Sequence, residues 1–450
     1  MAEAADTQTL LEDLLRAARK AGADAADAMV VDGASIAVAC RMGALETLER
    51  SEGGDIGLRV FCGRRSAIVS SADRRKPALD DLVARAVAMA RSVPEDPYGG
   101  LADPDQLATA APAIDLCDGT DRSAEDLIAA AQATEDAARA VAGVTNSEGA
   151  EAAWSRMQVV VAGTNGFNHA YSKSSSSISV SVLAGATGEG GMERDWDYSS
   201  AVYWDDLRAA AEVGRSAGER AVRRLGARRV KSARVPVVFD QRMARGLLGH
   251  FLGAINGAAV ARGMTFLKDA MDSEVFAPGI TIVEDPHRPR GARSRPVDAE
   301  GLPTVRRALI DGGRLTSWIL DLRSARQLAL PPTGHAVRGT ASAPSGSPSN
   351  VWMEAGPLSP QALIGEIDQG LYVTDLFGQG INGVTGDYSR GCAGFWIENG
   401  RIAFPVNEMT VAGNLRDMFR TVTPANDLEM IHGTDAPTLR VDGLTVAGGG

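Results

Sequence analysis

The dipeptide Asn399-Gly400 stands between two apolar runs, Phe395–Glu398 and Arg401–Phe404. Tight two-residue hairpins need a left-handed backbone at both turn positions, which Asn and Gly tolerate best. This is the strongest short-range hairpin signal in the chain, and it commits the last third to antiparallel sheet. A second hairpin is predicted upstream, where Ala308–Ile310 and Leu315–Leu320 flank Asp311-Gly312-Gly313-Arg314. The same half opens with an apolar strand, Val235–Phe239, and a helix from about Gln241 to Arg262, and Ile280–Glu284 reads as a short strand. One further helix intervenes, with Ser359 as N-cap and Pro360 at its first position. The run from Pro331 to Asn350 is rich in Gly, Pro, Ser and Thr, and a structureless stretch of that length in a compact domain is often functional.

The first half mixes the two periodicities. Leu10, Leu11, Leu14 and Leu15 recur at helical spacing over residues 8–21. Ala28–Val38 and Ile56–Phe61 read as strands, and Ile56–Phe61 pairs with Ser66–Ser70 across a turn at 62–65. Pro77–Val93 is a predicted helix. Ser123, with Asp126 three residues on, forms a capping box for a helix running to about Val141. Met157–Ala162 is a strand, and Ser177–Ala184 alternates with Ile178, Val180, Val182 and Ala184 on one face. A helix is predicted from Asp205 to about Leu225, ending at Gly226. The chain is therefore read as α+β with two domains. Residues 1–228 combine antiparallel sheets with helices, and residues 229–450 are mostly β around one central helix.

Composition narrows the function classes. A chain of 450 residues with 44% hydrophobic content builds sizeable cores. A net charge of −11 argues against binding a nucleic-acid backbone, which needs an excess of Lys and Arg on one face. Cys40, Cys62, Cys117 and Cys392 stand far apart with no CxxC pair, giving neither a zinc-ribbon pattern nor a disulfide framework and suiting a reducing cytosol. The N-terminal residues are acidic and then helical rather than a signal peptide. The most apolar stretch, Leu247–Val260, is too short to span a bilayer. The expectation is a soluble cytoplasmic protein that uses neither nucleic acid nor membrane.

Four features could carry chemistry. His250 lies on the predicted 241–262 helix, but no Glu follows it and no second His falls within two turns, so packing explains it better than zinc ligation. In Met192–Tyr198, Glu193, Asp195 and Asp197 would share one face of a strand. Three carboxylates can hold a hard cation, yet a solvated charged edge interleaved with Arg194 is the simpler account, with Trp196 and Tyr198 turned into packing. Gly378–Gly383 has a GxGxxG form but leads into turns and a hairpin rather than a helix, so a phosphate cradle is not expected. Ser389, beside Tyr388 and Arg390, sits in no GxSxG elbow, and nothing in the sequence pairs a serine with a His and an acid.

Several segments, taken together, resemble the TldD/PmbA family. They include Gly57–Arg65, Gly163-Thr-Asn-Gly-Phe167, Met192–Tyr198, Pro236-Val-Val-Phe-Asp240, Gly263-Met-Thr-Phe-Leu267 and Asp298-Ala-Glu-Gly301. The most specific lie late: Gly370–Leu376, Val384–Gly391, Gly394–Gly400 and Ala412-Gly-Asn414. They run in order along nearly the whole chain and match the PmbA, or TldE-like, type of subunit.

The resemblance implies a soluble peptidase of two related chains. The TldD-type chain carries a His-Glu-x-x-x-His helix and a later Cys as zinc ligands. Aligned on Leu247-Leu248, the two ligand positions fall here at Gly249 and Ala254, and the catalytic Glu position falls at His250. The Cys-bearing segment is reduced to Met430–Ala436 and has no Cys, while Cys392 lies upstream. The expectation is no catalytic residue, metal or cofactor on this chain, zinc on a TldD-like partner, and unfolded or flexible peptides as substrate, captured along an exposed strand edge. Asp387, Tyr388, Ser389 and Arg390 are candidates for substrate or partner contact, because a polar, Gly-flanked loop suits a surface better than a core. The chain alone could form a homodimer. Two rival readings stand: a non-enzymatic protein-binding modulator acting by itself, and a homodimeric hydrolase with an unrecognised site.

Overall fold

The computed structural model describes residues 2–186 and 191–448. Its first part runs α1 (Ala2–Lys20), β1 (Ala25–Arg41), β2 (Ala44–Cys62), β3 (Arg65–Ser71), α2 (Lys76–Ser92), α3 (Ala124–Arg139), β4 (Val144–Gly163), β5 (Asn168–Gly185), β6 (Met192–Ala201) and α4 (Ala210–Arg223). The strands form a six-stranded antiparallel sheet in the order β3-β2-β1-β4-β5-β6. Helices α1 and α2 bury Leu11, Leu14, Leu82 and Val83 against Ile56, Leu58 and Val60. Helices α3 and α4 cover the other end, where Ile178, Val180, Val182 and Ala184 of β5 meet Leu127, Ala131, Val213 and Ala217. The period-two alternation of β5 thus aims one apolar face at two helices, as its sequence predicts. These helices touch backbone to backbone: a Cβ at Gly214 would lie 2.1 Å from the Thr134 carbonyl, so only glycine fits.

The second part runs β7 (Ala233–Phe239), α5 (Gln241–Ala254), α6 (Gly257–Ala261), β8 (Ile282–Asp285), β9 (Arg307–Asp311), β10 (Arg314–Leu315), α7 (Leu322–Leu328), β11 (Ala336–Val337), β12 (Ser345–Gly346), β13 (Asn350–Met353), α8 (Pro360–Gly365), β14 (Gln369–Ile381), β15 (Asp387–Glu398), β16 (Arg401–Asn414), α9 (Leu415–Thr421), β17 (Val422–Pro424), β18 (Thr434–Asp435) and β19 (Leu439–Gly448). Strands β16, β15, β14, β7 and β19 are neighbours in that order, and β16 also pairs with β19 from Met409↔Gly448 to Ala412↔Thr445. The sheet therefore closes into a barrel. The β15–β16 turn has Asn399 at φ 49° and Gly400 at φ 73°, the left-handed pair that the dipeptide predicts. A smaller sheet, β10-β9-β8-β13-β18, lies alongside. Between them α5 buries Leu247, Leu248 and Phe251 in a core that includes Phe276 and Phe419, whose rings stack at 4.5 Å.

The fold is α+β, and several local expectations are corrected. The predicted 241–262 helix breaks into two, because Asn256 caps α6 by accepting from the Ala258 N–H at 3.0 Å. Helix α4 starts at Ala210, not Asp205, since Trp204–Asp206 forms a single 3-10 turn. Besides α5, the second part holds the short helices α6, α7, α8 and α9. Residues 331–350 are not a free loop. Their two-residue strands β11 and β12 pair, His335 is buried, and the fully buried Arg338 side chain reaches back to Asp27 of β1.

Two polar seams join the parts. In the first, Asp27 accepts from Arg59 and Arg338. Burial by itself would raise the Asp27 carboxyl, but the two guanidinium groups hold it below the usual range. Glu300 lies nearby and accepts the Leu322 N–H at 2.8 Å, and burial followed by Asp298 pushes it up to about 8. In the second seam, Asp195 of β6 meets Arg242 at 3.0 Å and Arg224 at 3.5 Å, and Arg224 also reaches Glu193 and Asp375. The solvated-edge reading of Met192–Tyr198 is overturned here. Asp195 and Asp197 are 2% and 4% exposed, while Trp196 and Tyr198 are only half-buried.

Candidate functional site

Helix α5 positions the residues to which the resemblance points. Its N-cap Asp240 accepts from the Met243 N–H at 2.9 Å, and burial raises that carboxyl to about 6. The apolar face turns Leu247, Leu248 and Phe251 inward, which sends Gly249 and Gly253 to the exposed face. A Cβ at Gly246, Gly249 or Gly253 would meet nothing within 4 Å. Ala254 is 6% exposed and packs in the core. Of the three positions Gly249, His250 and Ala254, one has no side chain, one has a buried methyl and only His250 has a donor atom. Among the described residues no group of three His, Cys, Asp or Glu side chains could hold a metal ion. This donor set does not fit catalytic zinc, which takes three protein ligands.

The barrel brings His250 to the second group of candidates. Its ring meets Tyr388 edge-on, with centroids 6.0 Å apart. Burial lowers the imidazole below its ordinary range, and the Arg390 charge adds to the effect. A guanidinium facing an imidazole repels any cation approaching it. Arg390 is held in place by donating Nη2 to the Leu376 carbonyl at 3.0 Å. Asp387 accepts from Thr385 Oγ1 at 2.6 Å and Asn414 Nδ2 at 3.1 Å. These bonds hold its carboxyl below the usual range.

The segment Asp387–Arg390 is the start of strand β15, not a loop. Tyr388 is 2% exposed, and its hydroxyl is buried without a partner. Its side chain therefore faces the core, while Asp387 and Ser389 face out. Cys392, two residues on from Arg390, is fully buried, and burial pushes its thiol up to about 12. The segment Met430–Ala436 lies over the start of α5, where His432 Nδ1 meets Tyr198 Oη at 3.0 Å. Gly378–Gly383 straddles the end of β14 and opens no helix.

Sequence reasoning missed a cluster of arginines beside this site. Arg208, Arg220, Arg242 and Arg245 converge with Tyr198 and His432 on one cavity. One local signal was available: Arg242 sits in the first turn of α5, where the helix dipole disfavours a cation.

Among the described residues no helix is long and apolar enough to cross a membrane. Three consecutive family models match the chain, described as PmbA/TldA metallopeptidase domain 1 (residues 26–90), central domain (117–225) and C-terminal domain (232–448). Metalloprotease PmbA of Escherichia coli O157:H7 is 37% identical over 94% of this chain and 92% of its own length. A Metalloprotease PmbA homolog of Haemophilus influenzae is 33% identical over 96% of this chain and 94% of its own length. A Bacteroides thetaiotaomicron crystal structure designated a modulator of DNA gyrase superposes with TM-score 0.91 at 26% identity, covering 98% of this chain and 99% of that one. TldE of Thermococcus kodakarensis shares the fold, with TM-score 0.85 at 20% identity over 98% of this chain and 100% of its own. From its first sheet to its closed barrel, this chain belongs to the PmbA/TldD metallopeptidase family.

Proposed function

We propose that this chain is the subunit of a cytoplasmic TldD/TldE-type metallopeptidase complex that holds no zinc itself and pairs with a TldD-like, zinc-bearing chain. In that pair it helps enclose the chamber and limits entry to unfolded or flexible peptides. The observation that carries the reading is the α5 face, where glycine stands at one ligand position and a core alanine at the other, with a guanidinium close to the lone imidazole. Loss of both donors leaves the helix intact, as expected of a scaffold kept for shape. The existence of relatives named both as TldD homologs and as TldE is consistent with a two-chain system. Asp387, Ser389 and Arg390 are the residues we assign to substrate or partner contact, with Tyr388 supporting them from below.

Affinity capture of the tagged chain from its native cells tests this directly. The expected result is one stoichiometric partner with a His-Glu-x-x-x-His helix and about one zinc per pair. Recovery of the chain alone and metal-free, as a monomer or homodimer, would favour a protein-binding modulator. Zinc on this chain alone would overturn the ligand argument. An Asp387→Ala/Arg390→Ala variant is expected to weaken assembly or turnover, and unchanged values in both assays would remove those residues from the contact set.

A further inference from the structure

A cavity of about 90 Å³ lies among β6, the end of α4, the first turns of α5 and residues 429–436. The proposed pairing makes no use of it. Two of its four arginines have carboxylate partners. Arg208 meets Asp197 at 3.0 Å, and Arg242 donates to Asp195 at 3.0 Å and to the Thr374 carbonyl at 3.1 Å. The other two differ. Arg220 Nη1 is buried with no hydrogen-bond partner, and Arg245 donates Nη1 to the Tyr198 hydroxyl rather than to a carboxylate, at 2.6 Å.

Asp197 and Asp240 lie within electrostatic reach of Arg220, yet its Nη1 bonds to neither. Asp435 spends its oxygens on the N–H groups of His432 at 2.8 Å and Gly433 at 3.0 Å. Glu429 is exposed. Asp197 accepts from the Tyr198 N–H as well as pairing with Arg208, and leaves one buried oxygen, Oδ2, without a partner. The Tyr198 oxygen that accepts from Arg245 also lies 3.0 Å from His432 Nδ1. Burial, then Arg245 and Arg208, hold His432 down at about 4, so it adds no charge at neutral pH.

We propose that this cavity is a carboxylate-binding site in which Arg220 and Arg245 grip the terminal carboxylate of a peptide. Guanidinium groups match a planar oxyanion with paired N–H donors. The volume admits a carboxylate and a small residue but not a nucleotide. From Arg245 the half-buried Gly246 and the exposed Gly249 and Gly253 continue along α5, and Gly249 is one turn, about 6 Å, further on. No side chain rises from these positions, so the rest of a bound peptide has an unobstructed path. Inorganic phosphate offers the same oxyanion chemistry. The site belongs to this chain alone, so its failure would leave the zinc-bearing partner reading standing.

The test is calorimetric titration of the purified full chain with three probes: pentaalanine with a free carboxylate, the same peptide amidated at its C-terminus, and inorganic phosphate. The expected result is about tenfold or greater preference for the free acid over the amide, with phosphate competing. Arg245→Met and Arg220→Met should each abolish that preference while Arg245→Lys retains part of it. Equal affinity for acid and amide would overturn the proposal, as would a preference that survives both Met variants. Binding of phosphate without any preference for the free acid would also overturn it, by assigning the site to a free anion. Should a Met variant fail to fold, raising the salt concentration on the native chain serves instead, and an acid preference that ignores salt would sink the idea.

Discussion

The two seams between the first sheet and the barrel are built from the same groups and finished differently. At Asp27, two arginines converge on one carboxylate; Asp27 and Arg59 are almost wholly buried and the Arg338 side chain entirely so. At Asp195 and Asp197, the carboxylates are shared among Arg208, Arg224 and Arg242, Arg224 also reaches Glu193 and Asp375, and a cavity remains beside them. A closed cluster commits its charges to holding the parts together. Unpartnered guanidinium atoms occur at both, Arg338 Nε and Nη2 at the first and Arg220 Nη1 at the second, but at the second they border a cavity. Exposure, not residue type, separates an adhesive from a receptor.

The largest effect is expected at the closed seam. Arg338→Ala should cost about 3–5 kcal/mol in urea unfolding, because it strips a partner from a buried carboxylate. A cost under about 1 kcal/mol would show that Arg59 alone satisfies Asp27 and would erase the contrast. At the open seam Asp195→Ala should cost less, about 2 kcal/mol, since Arg224 keeps Glu193 and Asp375 and Arg242 keeps Asp240. An equal or larger cost than Arg338→Ala would reverse the ranking of the two.

Acidity sharpens the comparison further. Glu300, at the closed seam, is raised from 4.5 to about 8, so the folded chain holds its proton more tightly than the unfolded chain does. Its contribution is complete below pH 4.5 and is lost as pH climbs to about 8, at up to about 1.4 kcal/mol per pH unit. Glu300→Gln should flatten the decline of stability between pH 5 and 8, and an unchanged slope would locate the titration elsewhere. The smallest effect is expected at His250. His250→Ala should leave the metal content and peptidase activity of the assembled complex unchanged and shift stability by less than about 1 kcal/mol.

Local chemistry was legible and long-range pairing was not. Asn399-Gly400, the Ser123 capping box and the alternation of β5 all form as their residues dictate, because each depends on neighbours a few positions away. Glu193, Asp195 and Asp197 looked like a solvated edge because Arg224, Arg242 and Arg208 reach them only through the fold. Asp387–Arg390 looked like a loop because its glycine-rich flanks conceal pairing with β14 and β16. Position 250 was readable from its missing companions, but the approach of Tyr388 and Arg390 needed the barrel to close. The arginine cavity draws on β6, Arg208, the end of α4, the start of α5 and residues 429–436, so no spacing rule could reveal it.

The closure of the barrel also sets a timetable for the growing chain. Strand β7 finds one neighbour in β14 and the other in β19, roughly 200 residues further on. During synthesis the first sheet can assemble from strands that mostly follow one another, while Val235–Phe239 wait with unpaired backbone and apolar side chains. That interval leaves a sticky edge exposed until the final strand emerges. Truncation before Leu439 would make the interval permanent, and the product should be recovered in aggregates even though its first sheet is complete.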